Sequence, residues 1–188
     1  MTSPSSPFAV EEYRALRATI RERGSLRLIV VGLTFVAWAT FAFAVSVWAS
    51  VSALTLLPLL VLVTGFEVVF AAHVGVERIG RYVQVRYEGD GTEPPAWEHA
   101  AMTVGPAAAS GSGIDPLFAP LFVLATLLNL IPVGLLSATE GFSLPGGIPV
   151  EVAVYGMLHL LFVWRVFLAR RYAARQRSRD LELFKQSV

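Results

Sequence analysis

Six polar side chains lie within or at the edge of long apolar stretches of this sequence, and they are the first candidates for chemistry. They are Glu67, His73, Glu77, Asn129, His159 and Arg165. Burying an ionisable group in hydrocarbon costs about 2.5–3.5 kcal/mol on insertion scales, so a residue of this kind inside a membrane helix is a candidate functional site.

Glu67 and Arg165 lie at similar depths in two different apolar stretches. At about 1.5 Å per helical residue, Glu67 lies about 21 Å and Arg165 about 22 Å from the outer end of its stretch. Helices that touch at this level would form an ion pair. Three roles remain open: a coupling or proton-carrying carboxylate, a structural clasp between helices, and an arginine that reaches the inner headgroups.

A second group of candidates lies at the inner boundary of the second stretch. His73 and Glu77 share a helix face, and Arg81 continues that face, where we expect it to pair with Glu77. The following loop supplies Glu98 and His99 from the same side. Two histidines and two carboxylates could bind zinc, iron or manganese. The spacing matches no complete metal signature, and the alternative is an interfacial charge cluster that docks a loop helix.

His159 and Asn129 form the third group. A histidine in a membrane helix can be an axial ligand of haem or of a chlorophyll-type pigment. The alternative is a hydrogen bond from His159 to Asn129 or to a backbone carbonyl, with Asn129 joining helices. The sequence requires no cofactor, and a divalent metal or haem stays an open possibility.

The elements that must position these side chains are four apolar stretches, each long enough to cross a hydrocarbon core of about 30 Å. They cover residues 28–48, 53–74, 117–137 and 150–169. Backbone polar groups have no water partner in lipid, so each stretch must be helical. Together with 55% hydrophobic and 15% charged residues, this predicts an all-α, polytopic membrane protein built as a four-transmembrane-helix bundle.

The basic residues predict its orientation. The two connections on one side, 49–52 and 138–149, contain no Lys or Arg, so all 15 basic residues fall on the other side. The positive-inside rule then places both termini in the cytoplasm. The bias toward arginine over lysine is typical of GC-rich bacterial genomes and indicates a bacterial cytoplasmic (inner) membrane.

The regions outside the bilayer are predicted to be helical as well. Ser6 and Pro7 favour the start of an amphipathic helix that ends at Gly24. The second and fourth spans are predicted to continue into the cytoplasm. The expected parts are an amphipathic helix at 1–24, a hairpin with its extension at 25–88, a cytoplasmic loop at 89–116 with a short helix in PPAWEHAAM, a second hairpin at 117–170, and a basic cytoplasmic helix at 171–188.

Partners follow from the same pattern. The arginines just beyond the fourth span are expected to contact lipid headgroups rather than nucleic acid: Arg170, Arg171, Arg175 and Arg177.

The sequence leaves three candidate functions open. The leading one is a non-enzymatic accessory, scaffold or assembly subunit, as a homo-oligomer or with other membrane subunits. The others are a small oligomeric transporter or channel using Glu67, and a metal- or haem-binding membrane enzyme. Cysteine is absent, which excludes disulfide and thiolate chemistry.

Overall fold

The computed structural model describes residues 6–48, 52–89, 97–102, 115–136 and 149–187. Of these residues 94% are helical, and none of them forms a strand. The elements in chain order are α1 (Pro7–Trp48), a 3₁₀ turn (Ser52–Thr55), α2 (Leu56–Tyr87), α3 (97–102), α4 (Ala119–Leu136) and α5 (Val150–Ser187). The all-α prediction is confirmed.

Three of the described helices are long and apolar enough to cross a membrane. They are α1, α2 with the turn before it, and α5. Helix α4 has 18 residues and contains the shorter apolar stretch Ala119–Ile131. The chain is therefore a membrane protein by the length and composition of its helices.

Helix α1 begins where the sequence predicted. The Ser6 hydroxyl accepts from the Ala9 amide at 3.2 Å, and Pro7 occupies the first helical position. The predicted end at Gly24 is wrong, because α1 continues without a break to Trp48. A glycine inside a helix costs about 1 kcal/mol relative to alanine, and the contacts that Arg17 and Arg27 make on either side of Gly24 offset that cost. Helix α5 runs without a break from Val150 through the basic segment to Ser187.

The described chain divides into two compact units. The first, which we call the polar unit, combines Met1–Leu28, Phe70–Pro116 and Arg171–Val188. The second, which we call the apolar unit, combines Ile29–Val69 and Leu117–Arg170.

The apolar unit has a conventional hydrophobic interior. Its centre is an aromatic cluster in which Phe66 packs edge-on against Phe122 at 5.2 Å and Phe162 at 5.8 Å between ring centroids. Helices α1 and α2 approach closely at Gly65, where a Cβ atom would lie 2.8 Å from the Cβ of Thr34. Only glycine permits that approach, so α2 lies against α1 at this level.

The polar unit has the opposite kind of interior. Val83 is the one apolar side chain buried among the described residues of this unit. The other buried side chains there are polar or charged: His73, Arg81, Gln84, Glu88, Glu98, Gln176 and Asp180. Hydrogen bonds and ion pairs, rather than apolar packing, must therefore specify how its pieces fit together.

Candidate functional site

The centre of the polar unit is the carboxylate of Glu98 on α3. Arg17 of α1 donates to Oε1 at 2.7 Å, and Arg81 of α2 donates to Oε2 at 3.2 Å. The Arg81 side chain is only 4% exposed, and its other amino group donates to Gln84 at 2.6 Å. One carboxylate thus ties α3 to two long helices.

A second buried carboxylate, Glu88, caps the start of α3. Its Oε2 accepts from the backbone amides of Glu98 at 2.9 Å and His99 at 3.1 Å. The Nδ1–H of His99 donates to the same oxygen at 3.1 Å, and Arg17 lies 3.4 Å from Oε1. The first amides of a helix have no partner within the helix and carry a partial positive charge, so a carboxylate there stabilises it. We call Arg17, Arg81, Glu88, Glu98 and His99 the docking network.

Two glycines of the segment GVERIGR make room for this arrangement. A Cβ atom at Gly80 would lie 2.8 Å from Oε2 of Glu98. One at Gly75 would overlap the guanidinium of Arg23. The spacing of these glycines matches no phosphate-binding loop, and the structure gives them a packing role instead.

The remaining members of the predicted metal cluster have arginine partners. Nη1 of Arg27 donates to Nδ1 of His73 at 3.2 Å, and Arg177 forms two hydrogen bonds with Glu77 at 2.8 and 2.9 Å. The expected pair between Glu77 and Arg81 is therefore wrong, because Arg177 of α5 presents a better matched, bidentate donor.

The structure does not gather the four candidate metal ligands. The side chains of His73, Glu77, Glu98 and His99 contact different side chains, and no three histidine or acidic side chains are grouped as a metal site among the described residues. A cation entering there would have to compete with arginines at His73, Glu77 and Glu98. The geometry matches the alternative interpretation, a charge cluster that docks the loop helix.

Glu12 of α1 is an exposed residue of the polar unit. Tyr82 and Tyr87 of α2 donate to its two carboxylate oxygens at 2.9 and 2.6 Å. These hydroxyl donors, Tyr87 first, hold the pKa of Glu12 below its usual value. Burial, followed by the hydrogen bond to Glu12, raises the pKa of Tyr87 to about 12.

In the apolar unit, the structure brings together both predicted pairs. Nη2 of Arg165 donates to Oε2 of Glu67 at 2.8 Å. Nδ2 of Asn129 lies 2.9 Å from Nε2 of His159 and donates to the carbonyl of Thr55 at 3.0 Å. The contact between Glu67 and Arg165 agrees with the depth argument, and the role of these four residues as functional sites stays a prediction.

Both ring nitrogens of His159 are engaged. Nδ1 lies 2.7 Å from the carbonyl oxygen of Tyr155, which can only accept, so Nδ1 carries the proton. Nε2 is then the acceptor for the Asn129 amide. Because the side chain is fully buried and has no free nitrogen, this geometry fits a helix-joining hydrogen bond and not an axial haem ligand.

The four arginines predicted to contact lipid headgroups lie in the basic part of α5. Arg170, Arg171 and Arg175 are exposed, as a contact with lipid headgroups requires. Arg177 forms an ion pair with Glu77 and keeps 30% of its side chain exposed, and lipid contact by these four arginines stays a prediction.

Sequence reasoning missed Arg17 and Glu88, which contribute most of the contacts around α3. Arg17 was one of several arginines on α1, and its partner lies 81 residues away. Glu88 follows the last residue of α2, nine residues before Trp97, the first described residue of α3. The sequence signal that could have identified Glu88 is an acidic residue at the end of one predicted helix, with a short predicted helix just downstream.

The described helices and the composition define a class: a helical membrane protein that contains a polar unit and an apolar unit. No family model, curated protein or solved structure matches this chain.

Proposed function

We propose that this chain is a four-span protein of a bacterial cytoplasmic membrane, with both ends in the cytoplasm. Helix α4 would supply the fourth span, since 18 residues reach about 27 Å, near the hydrocarbon thickness of about 30 Å. The charge distribution supports the orientation: all but two of the 15 basic residues belong to the polar unit.

This topology can be tested with single cysteines, because the chain has none of its own. We expect an impermeant thiol reagent to label Leu54→Cys in intact cells, since Leu54 is 42% exposed in the turn before α2. Ser187→Cys at the end of α5 should be labelled only after lysis. Labelling of both in intact cells would contradict the proposed topology.

Within that membrane, we propose that the protein is a non-enzymatic scaffold whose helix α3 binds a partner protein in the cytoplasm. The observation that carries this proposal is Trp97, which is 67% exposed on a helix that the docking network holds in place. Tryptophan is strongly enriched among the residues that dominate protein–protein binding.

The way α3 is held supports this function. A short helix is not stable alone, because the first turn fixes several residues for few hydrogen bonds. Here Glu88 caps it, while Arg17 and Arg81 hold Glu98 on either side. A helix that is ordered before binding loses less conformational entropy when a partner docks.

The test compares two exposed tryptophans. Trp97→Ala should abolish co-purification of a cross-linked partner. Trp48, the last residue of α1, is 77% exposed, and Trp48→Ala should leave co-purification unchanged. Trp97 could instead anchor α3 in the membrane interface. Quenching of Trp97 fluorescence by brominated lipids, with no partner lost in Trp97→Ala, would refute the scaffold proposal.

The ion pair between Glu67 and Arg165 favours a second candidate, a small oligomeric transporter or channel. A carboxylate inside an apolar segment can carry a proton or coordinate a coupling ion. Glu67→Gln should then abolish flux in proteoliposomes, with Glu182→Gln on the surface of α5 as the control. Equal flux in the two variants would remove Glu67 from such a mechanism.

A further inference from the structure

Two arginines of the polar unit, Arg23 and Arg27, lie four residues apart on α1, and Arg27 directly precedes the apolar segment 28–48. Residues at this spacing share one face of a helix. Nη1 of Arg27 donates to Nδ1 of His73 on α2 at 3.2 Å. The guanidinium of Arg23 occupies the space that a Cβ atom at Gly75 would fill. Helix α1 therefore presents two positive charges to a single turn of α2.

The groups that these arginines contact on α2 are neutral. A guanidinium can only donate, so Nδ1 of His73 accepts and the ring carries its single proton on Nε2. Gly75 has no side chain. Like charges four residues apart on a helix repel each other, and these contacts with α2 add no negative charge between them. An anion placed between the two guanidinium groups would stabilise the arrangement.

The carboxylate of Glu77 is engaged elsewhere. Its charge acts on Arg27, but its two oxygens accept from Arg177 of α5 at 2.9 and 2.8 Å. Arg23 is exposed and Arg27 is half-buried, so an anion can approach both. This part of the polar unit thus combines accessible N–H donors with positive charge.

The geometry suits a phosphate group. Arginine presents its N–H donors in a planar fork that matches the oxygens of phosphate. At about 1.5 Å per residue, Arg23 and Arg27 lie about 6 Å apart along α1, so a single phosphate can accept from both. In the proposed topology, Arg27 lies at the level of the inner headgroups, where the anionic lipids of the cytoplasmic leaflet present phosphate.

We propose that Arg23 and Arg27 bind the phosphate of an anionic phospholipid of the inner leaflet. The lipid phosphate supplies the negative charge that the contacts with His73 and Gly75 do not bring. This site differs from the exposed arginines of α5, because its two guanidinium groups are held against a neighbouring helix. Free inorganic phosphate offers the same oxygens, so the experiment has to separate the two sources.

Titration of the purified full chain in detergent with phosphatidylglycerol, followed by native mass spectrometry, tests the site. Arg23→Gln with Arg27→Gln should weaken binding at least ten-fold. Arg14→Gln with Arg21→Gln removes the same charge from exposed positions of α1 and should leave the affinity unchanged. Equal weakening in both double variants would overturn the proposal, and so would an unchanged affinity in both.

An uncharged substitution tests the geometry. In Gly75→Ala the new methyl group displaces the Arg23 guanidinium while every charge of the chain is kept. The displaced group is the end of an exposed, flexible side chain, so the variant should fold. It should weaken binding about five-fold, the share of one arginine near a membrane surface. Gly32→Ala, with nothing within 4 Å, should not; equal affinities of the two variants would indicate attraction by charge alone and overturn the site.

Competition separates the two sources of phosphate. Excess inorganic phosphate, compared with chloride at equal ionic strength, should leave phosphatidylglycerol bound. Its displacement by phosphate but not by chloride would assign the arginines to a free anion and overturn the lipid proposal.

This inference rests on the proposed topology, and the two can fail separately. Labelling of Ser187→Cys in intact cells, with lipid binding that depends on Arg23 and Arg27, would refute the topology alone. Labelling of Ser187→Cys only after lysis, with lipid binding independent of both arginines, would refute the site alone.

Discussion

Replacing Glu98 with glutamine removes one charge from the middle of the docking network and keeps the shape of the side chain. The carboxylate accepts from Arg17 at one oxygen and from Arg81 at the other. Glutamine has a single oxygen, so one arginine must face an amide NH₂ group. The Arg81 side chain is only 4% exposed, whereas the Arg17 side chain keeps 25% of its surface exposed to water.

The structure sets the size of the effect. Removing one partner of a buried ion pair costs about 3–5 kcal/mol. Because glutamine retains one oxygen and Arg17 is partly exposed, we expect Glu98→Gln to cost about 3 kcal/mol, at the lower end of this range. Since about 1.4 kcal/mol corresponds to a factor of ten, the opening equilibrium of α3 should rise about 100-fold.

Hydrogen–deuterium exchange measures this opening directly. In Glu98→Gln the amides of 97–102 should exchange about 100-fold faster than in the wild type, while peptides of the apolar unit stay unchanged. Glu182→Gln, an exposed carboxylate of the same unit, is the matched control. Arg17→Gln should have a smaller effect than Glu98→Gln. An exchange rate for 97–102 within about three-fold of the control would refute the reasoning that charge holds α3 in place.

Two further predictions concern a glycine and a tyrosine. Gly80→Ala should lower the melting temperature, because its Cβ would lie 2.8 Å from the Glu98 carboxylate; overpacking of this kind costs about 1–3 kcal/mol. Gly24→Ala, with nothing within 4 Å, should instead stabilise the helix by about 0.5–1 kcal/mol, and equal melting shifts would contradict both. Tyr87 should ionise only near pH 12, and Glu12→Gln should lower its pKa toward 10.0; an absorbance titration unchanged by Glu12→Gln would contradict the assigned hydrogen bond.

Helix-capping residues, and the depth of each residue in the bilayer, were enough to predict much of the architecture. The start of α1 at Pro7 follows from a capping serine and a proline. The end of α2 at Tyr87 and the short helix at 97–102 lie within a few residues of the predicted positions. The contact between Glu67 and Arg165 could be predicted because the bilayer fixes the level of each residue along its helix.

The docking network could not be predicted in the same way. Arg17 and Glu98 are separated by 81 residues and lie outside the apolar segments, where no bilayer depth restricts their pairing. Several arginines were available to each carboxylate, and the choice depends on side-chain geometry. The break expected at Gly24 failed for a related reason, since contacts between helices outweighed a local preference of about 1 kcal/mol.

The polar interior has a consequence for how the protein is made. Glu77 receives its two hydrogen bonds from Arg177, which is 100 residues further along the chain. At about 5–20 residues per second, a ribosome needs about 5–20 s to synthesise that interval. During this time Glu77 has emerged and its partner does not yet exist. The polar unit therefore forms these contacts only after α5 has been synthesised, about 100 residues later than Glu77.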